Sequence, residues 1–253
     1  METALAVSQT KYWHLKQMGM FKSLADWELK QLVNIADLRL FKRGEDVFRA
    51  GDLWDHFYVL RTGTVKLYRE IACGKQIIFG FEGPGVMFGE TALIVANRRR
   101  DNARIVDGAF TCVIERNRFA GYLAQHPDLS GWVTAVIAKR KEAIEDRMIA
   151  LLSEDVRARL AHALVRLANE CGEPDDRGLR IGLRLTQTDL GQLVGSTRET
   201  TSMAFNGFRR EGLVESSDLG ARPGSSGSSL RLASSLHFHH GLLRSAVAAR
   251  TAR

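Results

Sequence analysis

Residues Leu185–Phe205 read LTQTDLGQLVGSTRETTSMAF. The first half predicts a short helix that Thr186 caps, with Asp189 at its third position as in a capping box. Gly195 then predicts a sharp reversal, because glycine adopts a positive φ at little cost. Ser196 begins a second capping box three residues before a glutamate. The stretch therefore predicts two helices around a tight turn, the helix-turn-helix whose second helix enters the major groove of DNA.

The second predicted helix has an apolar face and a polar face. Ala204, Phe205 and Phe208 are expected to face the core. On the polar face, arginine suits a guanine edge and a carboxylate suits the cytosine amino group, while hydroxyls hold phosphates. An ordinary helical hairpin would show the same caps, so the polar face is what favours DNA. The candidate DNA-binding residues are Thr186, Gln187, Ser196, Thr197, Arg198, Glu199, Thr201, Ser202, Met203 and Arg209.

The segment Gly191–Thr200, GQLVGSTRET, resembles the recognition segment of the catabolite-activator/FNR (CRP/FNR) family of bacterial transcription regulators. The resemblance implies a homodimer that binds DNA and meets RNA polymerase. It also implies that Arg198 and Glu199 read a G·C pair in each half-site. Where the cAMP-receptor members carry a further base-reading arginine, this chain has Met203. Its half-site is therefore expected to be related to theirs but not the same.

The composition is that of a soluble globular protein long enough for two domains, with 253 residues, 45% hydrophobic and 26% charged. No run approaches the roughly 18 apolar residues of a membrane span. Residues 1–7 lack the basic region of a secretory signal. Three scattered cysteines indicate a reducing cytoplasm, and the net charge of +7 helps binding to a polyanion without establishing it. We expect a cytoplasmic protein that does not enter a membrane.

Residues 38–114 change to short apolar or alternating runs separated by glycines. Such a pattern predicts an antiparallel sandwich or jelly-roll barrel. The stretch Phe41–Leu67 also resembles the opening of a cyclic-nucleotide-binding domain. The predicted strands are Leu38–Phe41, Asp46–Phe48, His56–Leu60, Thr64–Tyr68, Gln76–Phe81 and Phe110–Ile114.

A candidate effector pocket follows this resemblance. In nucleotide-binding relatives, a Gly-Glu pair holds the ribose and an Arg-Ser or Arg-Thr pair holds the cyclic phosphate. Gly89 and Glu90 match the first pair and Arg100 matches the arginine, but Asp101 replaces the hydroxyl and would repel a phosphate. The full set of candidate effector-pocket residues is Gly89, Glu90, Thr91, Arg100, Asp101, Asn102, Arg140, Ile144 and Glu145.

The effector itself stays open. In the cAMP-receptor members a Thr-Ser pair contacts the adenine, and the matching positions here are Ile144 and Glu145, which cannot make those hydroxyl contacts. We therefore expect that cAMP is not the effector and identify no cofactor and no metal site. An iron–sulfur cluster needs several cysteine ligands, and the first 72 residues contain none. Thiol redox sensing, with Cys73 the most exposed candidate, and activity without an effector both remain alternatives.

A long helix is predicted from His126 to about Leu152. Its apolar residues recur every seven positions, which suits a two-helix coiled coil. The alternative is a single helix that lies on its own barrel. The spacing and the family resemblance favour a homodimer seam formed by Val133, Ile137, Ile144, Met148 and Leu151.

The C-terminal part continues with an amphipathic helix over Val156–Glu170, a strand over Leu179–Leu185 and the start of a winged hairpin at Leu213–Glu215. From Leu219 to Arg253 the sequence has no Asp, Glu or Lys but five arginines. Residues 230–232 could return as a displaced wing strand. For the remainder three interpretations compete: a disordered basic tail that touches DNA phosphates, a helical appendage, or a tail created by a reading-frame change.

Together these patterns predict an α+β protein with four parts. Residues 1–128 form a cyclic-nucleotide-binding-like sensor domain, residues 129–152 a dimerisation helix, residues 153–218 a winged helix-turn-helix, and residues 219–253 an atypical tail. The predicted function is sequence-specific transcription regulation by a homodimer on a near-palindromic operator. The alternatives are a regulator gated by cAMP or another nucleotide, and a nucleotide-binding module that acts on a protein partner. An enzyme is not expected, because no nucleophile–base set, P-loop or metal-ligand cluster is present.

Overall fold

The structure is a computed structural model that describes residues 10–16, 18, 21, 24–72, 74–93, 98–175, 178–217 and 228–233. The chain divides into two compact units. The first comprises Met1–Leu67 and Glu82–Glu145, and the second comprises Tyr68–Phe81 and Asp146–Arg253. No helix within the described ranges is both long enough and apolar enough to span a bilayer.

The N-terminal half contains an antiparallel sheet with helices before and after it. The strand order is β1-β6-β3-β4, with β2 paired to β6 and β5 paired to β3. In the pair β1–β6, Ala36 lies opposite Ile114 and Phe41 lies opposite Ala109. This arrangement confirms the predicted antiparallel β domain. The elements are α1 (10–16), α2 (Asp26–Ile35), β1 (Ala36–Phe41), β2 (Asp46–Phe48), β3 (His56–Glu70), β4 (Gln76–Glu82), β5 (Met87–Phe88), a 3-10 helix (Glu90–Leu93), β6 (Asn102–Glu115) and α3 (Arg116–Gln125).

Two of the predicted strands are one strand in the structure. The segments His56–Leu60 and Thr64–Tyr68 join through Gly63 into β3. Gly63 has a φ of +85°, and a Cβ atom there would collide with the carbonyl oxygen of Gly108 in β6. The glycine therefore permits a close approach between two strands instead of ending one. Likewise, the strand predicted over Phe110–Ile114 is the last part of a longer strand, β6, which begins at Asn102.

Two hydrophobic clusters form the core of the first unit. One lies among the strands and includes Phe41, Phe48, Tyr58 and Phe88. The other packs the helices against the sheet and includes Leu15, Phe21, Leu29, Leu32, Phe57 and Phe119. The rings of Phe57 and Phe119 have centroids 4.6 Å apart. Full burial of a phenylalanine side chain stabilises a fold by about 1.5–3 kcal/mol, so these rings fix the helices on the sheet.

A long helix, α4 (Pro127–Ser153), contributes its first part to the first unit and its last eight residues to the second. The second unit continues with α5 (Val156–Cys171), β7 (Gly172–Asp175), β8 (Gly178–Leu185), α6 (Gln187–Val194), α7 (Arg198–Arg210), β9 (Val214–Ser217) and β10 (Ser228–Ala233). These bounds confirm the predicted helices and the strand that precedes the helix-turn-helix. The segment after Cys171, predicted only to end a helix, forms β7.

The predicted wing strand also forms. Strand β10 lies between β8 and β9 in a four-stranded antiparallel sheet with the order β7-β8-β10-β9. Leu230 and Leu232 of this strand are buried. This piece of the atypical tail is therefore integral to the fold. The Gly/Ser-rich stretch before it and residues 234–253, with their three competing interpretations, lie outside the described residues.

Candidate functional site

The first helix of the helix-turn-helix, α6, begins and ends as predicted. The Asp189 amide donates to the Thr186 hydroxyl oxygen at 3.0 Å, and the Thr186 amide donates to the Asp189 carboxylate at 3.1 Å. This reciprocal pair confirms the capping box. Gly195 has a φ of +67° and ends the helix. The Ser196 amide then donates to the carbonyl oxygen of Gly191 at 2.9 Å, which closes the turn.

The cap of the second helix differs from the prediction by one residue. Thr197, not Ser196, accepts the hydrogen bond from the Thr200 amide, at 3.2 Å. Ser196 remains in the turn because its own amide is bonded to the end of α6. As a result, Arg198 and Glu199 are the first two residues of α7, and both are exposed.

The inward face of α7 corrects one predicted DNA contact. Thr201 is 0% exposed and lies on the same face as the buried rings of Phe205 and Phe208. Its hydroxyl group is buried without a hydrogen-bond partner. Thr201 therefore packs in the core and cannot reach DNA. The sequence already indicated this burial, because Phe205 and Phe208 follow Thr201 by four and seven positions and such residues share a helix face.

The outward face of α7 carries most of the remaining candidates. Arg198, Glu199, Thr197 and Arg209 are exposed, and Ser202 is partly buried. Met203 is 69% exposed, an unusual position for a large apolar side chain. Sequence reasoning missed Asn206, which is exposed one turn further on.

Contacts at both ends of the motif hold this face in place. The guanidinium of Arg157 lies 4.4 Å from the ring centre of Phe208 and pairs with Glu211 at 2.5 Å. In α6, Thr186 and Gln187 are partly buried, and the Thr186 hydroxyl already accepts the capping bond. The structure thus presents α7, with Arg198 and Glu199 at its start, as the exposed element of the motif.

The effector-pocket candidates form a smaller group than predicted. Arg140 Nη1 donates to Glu90 Oε2 at 2.5 Å, and its Nη2 donates to the carbonyl oxygen of Met87 at 3.0 Å. Glu82 Oε1 lies 3.5 Å from the same guanidinium. Glu90 is buried, so this pair is a charged hydrogen bond sheltered from water. The sequence supplied Glu90 and Arg140 but not the contacts from Glu82 and Met87.

The buried arginine beside this group is Arg99, not Arg100. Arg99 is 4% exposed, and its guanidinium donates to the carbonyl oxygens of Gly89, at 3.2 Å, and His56. It also lies 4.0 Å from the ring centre of Phe48, a favourable cation–π distance. Burial lowers the pKa of Arg99. Arg100 is exposed, and its assignment to the phosphate stays a prediction. Three consecutive arginines give no periodic signal that marks the buried one.

The other pocket candidates differ in their exposure and in their partners. Asn102 is buried, but its side-chain oxygen accepts the Ala50 amide at 3.0 Å and so serves the fold. Thr91 and Ile144 are exposed, Asp101 is partly buried, and Glu145 pairs with Lys141 at 2.5 Å. None of these five side chains is positively charged, and only Thr91 carries a hydroxyl group that a cyclic phosphate or an adenine could use.

The predicted dimer face of α4 divides into two halves. Val133 is 7% exposed and packs in the core of the first unit, and Ile137 packs against the same cluster. Val133 is therefore not available to a partner helix, as the single-helix alternative had it. Further along, the apolar side chains are exposed. They are Ile144, Met148, Ile149, Leu151 and Leu152.

Of the cysteines that the structure describes, Cys112 gives the thiol alternative no support. Cys112 is fully buried, and burial raises the pKa of its thiol, which makes it a poor nucleophile. Cys73, the exposed redox candidate, lies outside the described residues. Across the part of the chain that the structure describes, no cluster of His, Cys, Asp and Glu side chains could hold a metal ion.

Comparison with known proteins matches both halves of the chain. The sequence matches the family model of a cyclic nucleotide-binding domain over residues 38–126 and that of a Crp-like helix-turn-helix domain over residues 158–222. The CRP-like cAMP-activated global transcriptional regulator of Mycobacterium tuberculosis is 28% identical over 200 residues, 79% of this chain and 89% of that protein. The cyclic AMP receptor protein of Thermus thermophilus is 26% identical over the same length, with the same coverage.

Solved structures agree on the fold. The c-di-GMP responsive global regulator CLP of Xanthomonas campestris superposes with a TM-score of 0.66 at 22% identity. The match covers 83% of this chain and 99% of that one. That protein therefore shares the order of antiparallel sheet, long helix and helix-turn-helix.

Proposed function

Since this chain belongs to the CRP/FNR family of DNA-binding transcription regulators, we propose that it acts as a homodimer on a near-palindromic operator. The observation that carries this proposal is the exposed face of α7, which begins with Arg198 and Glu199 on a capped, buried scaffold. Two-fold symmetry places the two half-sites about one DNA turn, roughly 34 Å, apart. RNA polymerase is the expected protein partner, and the cytoplasm is the expected compartment.

Each half-site is read by chemistry that α7 provides. Arg198 suits the O6 and N7 acceptors of guanine, and Glu199 suits the amino group of the paired cytosine. Hydroxyl and guanidinium groups of Ser196, Thr197 and Arg209 suit phosphates, which set the register without reading sequence. A fluorescence-anisotropy titration tests the proposal, with a selected palindromic duplex against a scrambled duplex at fixed salt. Equal affinity for both duplexes would contradict sequence-specific DNA binding. It would favour the alternative in which this protein acts on a protein partner.

The dimer is proposed to form through the second half of α4. Ile144, Met148 and Leu151 are exposed along this helix at the spacing of a coiled-coil seam. A second copy of the same helix supplies the complementary apolar surface, and it pairs the two recognition helices that a palindrome requires.

The effector is proposed to be something other than cAMP, or absent. The named relatives already differ in their signals, since two are described by cAMP and one by c-di-GMP. In this chain Glu90 is paired with Arg140, Arg100 is exposed, and carboxylates stand at Asp101 and Glu145. A cyclic phosphate would meet repulsion from Asp101, and at the positions matched to the adenine contact Ile144 and Glu145 offer no hydroxyl.

Operator affinity is therefore expected to change by less than about twofold when cAMP is added, since an effector shifts binding only by its differential affinity for the two states. The measurement is the anisotropy titration with and without saturating cAMP. A variant with Asp101→Ser and Glu145→Ser restores one hydroxyl at the phosphate position and one at the adenine position, leaves Ile144 of the proposed dimer seam unchanged, and serves as the matched control. Binding by the wild-type protein that requires cAMP would contradict this prediction.

Met203 is expected to read a thymine. Its exposed thioether lies one turn after Glu199, and the C5-methyl of thymine is the apolar group on a base edge in the major groove. Burying one methyl group stabilises a contact by about 0.8 kcal/mol, or roughly fourfold in affinity for each half-site. Replacing that one thymine by deoxyuridine should produce this loss with the wild-type protein and none with Met203→Ala. Equal losses in both proteins would refute the contact.

A further inference from the structure

One arginine joins two elements of the second unit that lie far apart in sequence. Arg147, near the end of α4, donates from Nη1 to the carbonyl oxygen of Phe79 at 3.0 Å and from Nη2 to that of Ile78 at 2.8 Å. Its Nη2 also donates to the carbonyl oxygen of Leu193. Ile78 and Phe79 belong to β4, and Leu193 is the second-last residue of α6.

Both acceptor groups are of the kind that needs an outside donor. Strand β4 stands at the end of the sheet order, and consecutive carbonyl oxygens of a strand point to opposite edges. One of the two adjacent carbonyl oxygens, of Ile78 or of Phe79, therefore lies on the outer edge without a strand partner among the described residues. The last carbonyl oxygens of α6 have no intrahelical partner and carry the negative end of the helix dipole. A guanidinium offers five donors in a rigid fork and can satisfy both sets at once.

The charge of Arg147 is held by backbone groups in the part of the chain that the structure describes. No carboxylate within the described ranges lies at ion-pair distance from it, and its contacts are backbone carbonyl oxygens. Burial and the nearby Arg166 lower its pKa to about 10. Holding a cation out of water is costly unless its donors are satisfied. The three carbonyl oxygens supply that satisfaction only while β4 and α6 keep their present separation.

Among the described residues, two neighbouring arginines each hydrogen-bond to one of these elements and not to the other. Arg159 donates to the carbonyl oxygen of Val194, the last residue of α6, at 3.0 Å. Arg166 reaches the carbonyl oxygen of Phe79 at 3.5 Å and makes no hydrogen bond to α6 among the described residues. Arg147 is therefore the member of this group that ties β4 to the helix-turn-helix.

We propose that Arg147 is a positioning residue that couples β4 to α6 and so sets the orientation of the recognition helix α7. The coupling passes from α6 to α7 through the closed turn, where the Ser196 amide is bonded to Gly191. A shift of β4 or of the end of α4 then changes the angle at which α7 meets DNA. This inference rests on the proposed DNA-binding function for its consequence, but the coupling itself exists in the free protein.

Hydrogen–deuterium exchange of the full-length free protein tests the coupling directly. Arg147→Ala is expected to speed amide exchange in both β4, Gln76–Glu82, and α6, Gln187–Val194. Arg166→Ala, the matched control, should speed exchange in β4 alone. Arg147→Lys keeps the charge but lacks the fork, and it should behave like Arg147→Ala even if the alanine variant folds poorly. Unchanged exchange in α6 for Arg147→Lys would overturn the proposal.

Anisotropy titrations supply the functional arm. Arg147→Lys should lose about tenfold or more in operator affinity, within the usual range of coupling between sites, and change non-specific affinity by less than about twofold. Arg166→Ala should bind the operator like the wild-type protein. If the wild-type protein itself shows no preference for the operator, the proposed function fails, while the exchange data still decide the coupling. If it does select the operator and Arg147→Lys matches it, this inference alone fails.

Discussion

A Met148→Glu variant is expected to be a monomer that has lost nearly all of its affinity for the operator. Met148 is 57% exposed in the single chain, in the middle of the apolar half of α4. In a dimer seam, its replacement would bury two unpaired carboxylates, which is strongly unfavourable. A monomer binds one half-site at a time, and losing the second contact costs about a hundredfold or more in affinity. Analytical ultracentrifugation and anisotropy together measure both effects.

Lys139→Gln is the control for this prediction. Like Met148→Glu, this substitution lowers the net charge by one unit. Lys139 is exposed on the opposite side of the same helix. It should leave the mass in solution and the operator affinity close to those of the wild-type protein. A Met148→Glu protein that sediments as a dimer would remove this face of α4 from the proposed interface.

Arg198→Ala should relax sequence selection at one base pair of each half-site. The exposed guanidinium at the start of α7 is placed to make a bidentate contact with guanine. Its loss is expected to cost about 1–3 kcal/mol for each half-site at the preferred sequence, and less where the guanine is already replaced. The measurement is a set of titrations against operators that carry each of the four base pairs at that position.

Arg210→Ala separates base reading from charge. Arg210 is exposed at the other end of α7, and its removal subtracts the same positive charge. It should weaken binding to all duplexes to a similar extent, because a phosphate contact carries no sequence information. If Arg198→Ala also weakened all duplexes equally, then Arg198 would be a phosphate contact.

The helix-turn-helix could be predicted almost completely because its signals are local. The cap of α6 and the positive φ of Gly195 follow from residue types a few positions apart. The two errors there have physical causes. Ser196 was displaced as a cap because its amide closes the turn, and Thr201 was assigned to DNA because its hydroxyl outweighed its helical spacing with Phe205.

The effector pocket could be predicted only in part because its contacts are long-range. Glu90 and Arg140 are 50 residues apart, and the resemblance alone brought them together. Arg99 is buried and Arg100 is exposed because the Arg99 side chain contacts the ring of Phe48 and donates to the carbonyl oxygens of His56 and Gly89. The sequence does not indicate these long-range contacts. Similarly, heptad spacing along α4 does not distinguish Val133, which packs on its own chain, from Met148, which stays exposed.

The position of β10 determines when the protein can finish folding. This strand is the last described part of the chain, yet it lies inside the winged sheet between β8 and β9. Until residue 233 has been synthesised, β8 and β9 each lack a partner on one edge. Domains fold from the N-terminus as the chain emerges, so the first unit can form early. The DNA-binding unit must wait, so a growing polypeptide cannot occupy its operator before β10 has emerged and paired.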